Sequence, residues 1–192
     1  FPIHDDNPTR ITPYVTYLVL AACILVFIWQ LSLGDNVQLA VYSFGVIPSV
    51  LFESKSLPAE LAVLPAWMTI FTSMFLHGGW MHFLGNMWFL FIFGDNVEYR
   101  LGSLRYVGFY LAAGLISGLS HMLLNAGSQV PTIGASGAVA GVMGAYFLLH
   151  PGAKILTLIP IIIIPWLVEI PAFVFLGLWF ALQFISAASS PG

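Results

Sequence analysis

The chain has 192 residues, 59% hydrophobic and only 7% charged, where a soluble domain carries roughly 25% charged residues. Five Lys and Arg with eight Asp and Glu cannot cover a water-facing surface of this size, so a bilayer is the expected solvent. A net charge of −3 gives no sign of a nucleic-acid partner, and a single cysteine, Cys23, leaves no internal disulfide and no cysteine-based zinc site.

A spanning helix needs about 20 mostly apolar residues. Stretches of that kind at 13–33, 80–99, 104–125, 134–150 and 166–188 predict five helices. The polar segment 1–12, with Asp5, Asp6 and Arg10, leads into the first, and the membrane domain takes up 13–192. The sequence begins at Phe1 rather than Met and shows no charged region leading into a short apolar stretch with a cleavage site, so no signal peptide is expected and the chain reads as a piece of a longer protein. The connection 34–79 is broken by Pro48, Pro58 and Pro65 yet carries Val46, Ile47, Val50, Leu51 and Phe52, so it is expected in the membrane interface. The run Ile155–Pro165 reads equally as loop, re-entrant segment or early start of the fifth helix. Arg10, Arg100, Arg105 and Lys154 flank short loops on one side, which orients the N-terminus to the cytoplasm and leaves only Lys55 opposite. The outer side then receives Trp80 to His82, His121 and Ser136.

Two segments could carry chemistry. In Gly134-Ala135-Ser136-Gly137 a serine opens an apolar helix, where unpaired backbone N–H groups and the positive dipole end can stabilise an oxyanion formed on its acylation. The plainer reading makes Ser136 an N-cap and Gly137, Gly141 and Ala145, at steps of four, a packing stripe. In the second segment, His77 to Asn86, His82 and Asn86 are four apart and share a helix face, so both can point at one spot, either as oxyanion donors or as a structural pair between helices. His77 is five residues before His82, about 140° round a helix, which speaks against a chelating metal pair. His150 is 14 residues beyond Ser136, roughly 21 Å along one helix, too far to act on it. His121 lies at a suitable depth but reads first as structural. His82 could itself be the base, at the cost of doing two jobs. Glu98 and Arg100 are expected to fix the end of the second helix, and Glu169 to be interfacial.

The succession His77-Gly-Gly-Trp-x-His82-x-x-x-Asn86, Phe93-Gly94, Glu98-x-Arg100-x-Gly102 and Gly134-Ala-Ser136-Gly137 resembles the rhomboid family of intramembrane serine proteases, from about Trp67 onward. The resemblance implies an all-α, polytopic transmembrane helical bundle in a bacterial cell membrane. It implies a Ser-His dyad that cleaves transmembrane segments of membrane proteins without metal or organic cofactor. Ser136 would be the nucleophile; its own N–H, His82 and Asn86 would hold the oxyanion; Gly134, Gly137 and His77 would support the motifs. The family's base histidine sits on a sixth helix that has no counterpart here, since the sequence runs out at Ser189-Ser190-Pro191-Gly192. Five spans without that base predict a chain that is nearly inactive alone. A rhomboid-like protein that binds transmembrane helices without cutting them is the other class this pattern allows. The sequence sets no oligomeric state.

Overall fold

The computed structural model describes residues 1–161 and 164–189; expectations that touch Ile162, Ile163 and 190–192 lie outside the described residues. In chain order the elements are β1 (Pro2–Asp5), α1 (Tyr14–Ser32), α2 (Val37–Phe44), α3 (Pro48–Leu51), α4 (Thr69–Thr72), α5 (Trp80–Leu101), α6 (Ser103–Leu124), α7 (Ser136–Leu149), β2 (Lys154–Ile161), β3 (Ile164–Pro171) and α8 (Ala172–Ser189). The first four expected helices form within two residues of their expected bounds. Among the described residues two helices are long and apolar enough to cross a membrane, α1 with a mean hydropathy of 2.1 and α6 with 1.6, and shorter apolar helices lie at Ala66–Phe75, Ser136–Leu149 and Ala172–Ile185.

α7 packs against both α5 and α6 and buries Val139, Val142, Met143 and Tyr146. The approach to α6 depends on small residues. A Cβ at Gly137 would stand 2.6 Å from Ser117, and one at Gly141 would strike Ala113, so any side chain there would push the helices apart. Glu98, fully buried, holds the other end of the bundle. Its carboxylate accepts from the Val15 N–H (3.1 Å), the Thr16 N–H and hydroxyl (both 2.9 Å) and the Ser103 hydroxyl (2.6 Å). A negative charge thus sits on the first turn of α1 and holds the first residue of α6, where helix dipoles favour it. The expectation that Glu98 fixes the end of the second helix describes this contact.

The expectation of a wholly helical chain needs correction, because Lys154–Ile161 and Ile164–Pro171 form an antiparallel hairpin. Pro160 and Pro165 exclude a continuous helix, and the β-branched residues around them favour strand. The fifth helix therefore starts at Ala172, directly after Pro171, and not near 166. Opposed residues Ile155 and Ile170, then Thr157 and Val168, share the face turned to the bundle, where Ile155 and Thr157 are buried. Lys154 and Glu169 pair at 2.8 Å on the exposed face, worth little in water.

Segment 1–12 is more than an approach to α1. β1 pairs antiparallel with β2, and the buried Asp5 carboxylate accepts from Asn96 Nδ2 (2.9 Å) and the Tyr146 hydroxyl (2.5 Å). Trp88 Nε1 donates to the Pro2 carbonyl (2.7 Å), the Thr9 hydroxyl to Asp95 (3.0 Å), and the Lys154 N–H to Asp6 (2.7 Å). Burial, aided by Asp95, pushes the Asp5 carboxyl up to about 6.

Candidate active site

The site lies at the end of the bundle away from Glu98. His77 closes an irregular stretch before α5, and two-way hydrogen bonds fix its backbone: the Gln30 amide donates to the His77 carbonyl (3.0 Å) and accepts the His77 N–H (2.9 Å). Gly79 follows at φ 151°, ψ 176°, open to glycine and strained for any side chain. This turn folds His77 back, so its ring lies 5.3 Å from that of His82, nearer than their spacing on a continuous helix allows. Burial, then the neighbouring His82, pushes His77 down to about 4, so this imidazole is neutral at physiological pH.

His82 stands in the first turn of α5. Its Nδ1 accepts the Gly78 N–H at 3.3 Å, which assigns the ring proton to Nε2 and makes that nitrogen a donor. Asn86, one turn along and buried, donates one amide hydrogen to the His82 carbonyl (3.0 Å) and keeps a second.

Across from them, the loop into α7 passes Gly134 at φ +127°, its N–H held by the Ser73 carbonyl at 2.8 Å. A Cβ on Gly134 would lie 2.7 Å from His82 Nε2 and 3.7 Å from Ser136 Oγ. The missing side chain is what lets serine and imidazole approach. α7 starts at Ser136 itself, with Ala135 in the cap position and no side-chain capping bond, so the hydroxyl is not committed as an N-cap. Ser136 is exposed, not buried.

A cavity of about 520 Å³ joins these groups. His82 and Asn86 line it from α5, Ser136 and Gly137 from α7, and Trp179 and Gln183 from α8. A second cavity of about 280 Å³ touches Ser136 from the other side and is lined by Ser73, Ser117, His121 and Thr132. His121 thus borders the serine at a distance across a cavity, whereas His150 caps the far end of α7. Sequence reading passed over Gln30, Ser117 and Gln183. A lone amide inside the apolar run of α1 was the available signal for Gln30, since such groups face a partner inside a bundle.

Together these features describe a helical bundle built for a membrane, with a free serine hydroxyl and an imidazole N–H brought to one cavity near one end. A family model described as Rhomboid domain matches residues 65–191. Rhomboid protease GluP of Bacillus subtilis is 32% identical over 69% of this chain and 24% of its own length. Rhomboid protease GlpG of Salmonella choleraesuis is 30% identical over 77% of this chain and 48% of its own. Rhomboid-like protein 11, chloroplastic, of Arabidopsis thaliana is 39% identical over 40% of this chain and 27% of its own. The chain belongs to the rhomboid family, whose members are membrane-embedded, and spans about a quarter to a half of the length of these relatives.

Proposed function

We propose that this chain is the serine-bearing part of an intramembrane serine endopeptidase that cleaves transmembrane segments of membrane proteins. The observation that carries it is the bare Gly134, where a Cβ would lie 2.7 Å from His82 Nε2 and 3.7 Å from the uncapped Ser136 Oγ, both of which line one cavity. Ser136 attacks the peptide carbonyl, and its proton passes to the histidine that the rhomboid pattern carries on a further helix. The carbonyl oxygen, now negative, takes hydrogen bonds from His82 Nε2, the free Asn86 amide hydrogen and the Ser136 N–H. The protonated histidine gives its proton to the leaving amine; water then cleaves the acyl-enzyme and restores the serine. The tautomer deduced for His82 suits a donor and not a base.

The five helices α1, α5, α6, α7 and α8 are read as spans with the N-terminus cytoplasmic, no metal or organic cofactor takes part, and a bacterial cell membrane is the expected site. α7 has 14 residues, about 21 Å against a hydrocarbon core of about 30 Å, which suits a nucleophile below the membrane surface. The test is cleavage of a transmembrane reporter by a protein that carries this sequence together with the further helix, alongside labelling by a fluorophosphonate. Ser136→Ala should abolish both. Cleavage undiminished by that change would refute the assignment, and a folded protein that neither cleaves nor labels would favour a helix-binding, non-proteolytic rhomboid.

A further inference from the structure

The connection between α1 and α5 lies at the Ser136 end. Val46 bridges to Thr132, and the Thr72 hydroxyl donates to the Phe44 carbonyl at 2.6 Å, so this loop is an ordered body. Two cavities lie away from the serine, one within this connection and one between it and the end of α1. The first, about 520 Å³, is walled by Ile47, Val50 and Leu64 and carries Glu53, Lys55 and the hydroxyls of Ser43 and Thr69. The second, about 550 Å³, is a cleft lined chiefly by Trp29, Leu33, Leu39, Phe44 and Leu61, with Asn36 and Glu60 as further polar members. They meet at Ser43, itself only 7% exposed, which lines both. Around them Phe52, Val63 and Trp67 are exposed apolar side chains, as expected of a loop at a membrane interface.

A cavity that carries charged and hydroxyl groups, set beside an apolar cleft across the shared residue Ser43, suits an amphiphile. The charges narrow its chemistry. Glu53 and Lys55 line one chamber, and neither is in an ion pair among the described residues, so a carboxylate and an ammonium are free to meet a ligand's opposite charges. Glu53 moreover holds a left-handed φ of 56°, a conformation that side-chain-bearing residues rarely adopt. With Glu60 the pair of cavities carries one net negative charge, which disfavours an anionic headgroup. The headgroup chamber has no aromatic lining, the usual means of holding a quaternary ammonium, so a primary ammonium that donates hydrogen bonds fits better than choline.

We propose that these adjoining cavities bind one phosphatidylethanolamine-type lipid, with its phosphate at Lys55, its ammonium at Glu53 and an acyl chain passing Ser43 into the apolar cleft. The site stands on membrane residence alone and does not depend on the proteolytic reading. The test is native mass spectrometry of the chain equilibrated with equal amounts of ethanolamine, choline and glycerol phospholipids of matched acyl chains. One ethanolamine lipid should be retained about fivefold or more over the others, and Glu53→Gln with Lys55→Gln should remove that preference. Glycerophosphoethanolamine, which has the headgroup without the chains, should bind at least about tenfold more weakly. Equal retention of the three lipids overturns the proposal, and the unsubstituted protein alone decides that point. So do an unchanged preference in the double variant and tight binding of the chainless headgroup.

Discussion

Replacing Asp5 by Asn should change how the stability of the bundle depends on pH. The Asp5 carboxylate is buried between Asn96 and Tyr146, and burial raises it from the ordinary 3.8 to about 6. A carboxyl that titrates higher in the folded state binds its proton more tightly there. Its stabilising contribution is complete below about pH 4 and is lost as pH rises through about 6. The gap from 3.8 to about 6, at about 1.4 kcal/mol for each tenfold change, comes to about 3 kcal/mol. Asp5 does not titrate alone, because His4, Asp6, Asp95 and Tyr146 all act on it or on its hydroxyl partner. The difference between the protein and Asp5→Asn isolates the residue, since Asn keeps an oxygen to accept from Asn96 or Tyr146. Unfolding in mixed micelles followed by circular dichroism at pH 4, 5, 6 and 7 is the assay. Asp5→Asn should gain on the unsubstituted protein by up to about 3 kcal/mol between pH 4 and 7. Parallel curves would refute the claim that β1 carries a buried acid into the bundle.

The remaining predictions concern the two ends of the bundle. Glu98→Gln should cost about 3 kcal/mol or more, seen as a lower midpoint in the same micelle titration, because four donors lose a charged acceptor. Gln30→Leu should cost about 1–3 kcal/mol by leaving the His77 backbone groups unpaired, and should lower fluorophosphonate labelling through the shifted His77–Gly79 turn. Gly134→Ala should abolish labelling while the helix content by circular dichroism is kept, since its methyl would stand 2.7 Å from His82 Nε2. Gly141→Leu should separate α6 from α7 and cost about 1–3 kcal/mol or more.

The helices were legible because apolar runs of membrane length have few other uses, and His82, Asn86 and Ser136 were legible as polar residues opening such runs. Their common depth was expected from the predicted spans; Gly134 entered the sequence reading only as support for the serine motif, without the close approach to His82 that its missing side chain permits. The hairpin was hidden because Ile155–Pro171 is as apolar as a span, so hydrophobicity could not separate strand from helix, and only its prolines hinted at the answer. The docking of Asp5 on Tyr146 joins residues 141 positions apart and leaves no local signal. Gln30 did leave a signal, a lone amide in an apolar run, but its partner is the His77 backbone, which has no signature in sequence.

Glu98 has a mechanical consequence. One carboxylate grips the start of α1 and the start of α6 together, so those helices cannot slide independently at that end without stripping a buried anion of its donors. The Gln30–His77 pair ties the other end of α1 to the stretch before α5, so α1 is clamped at both ends.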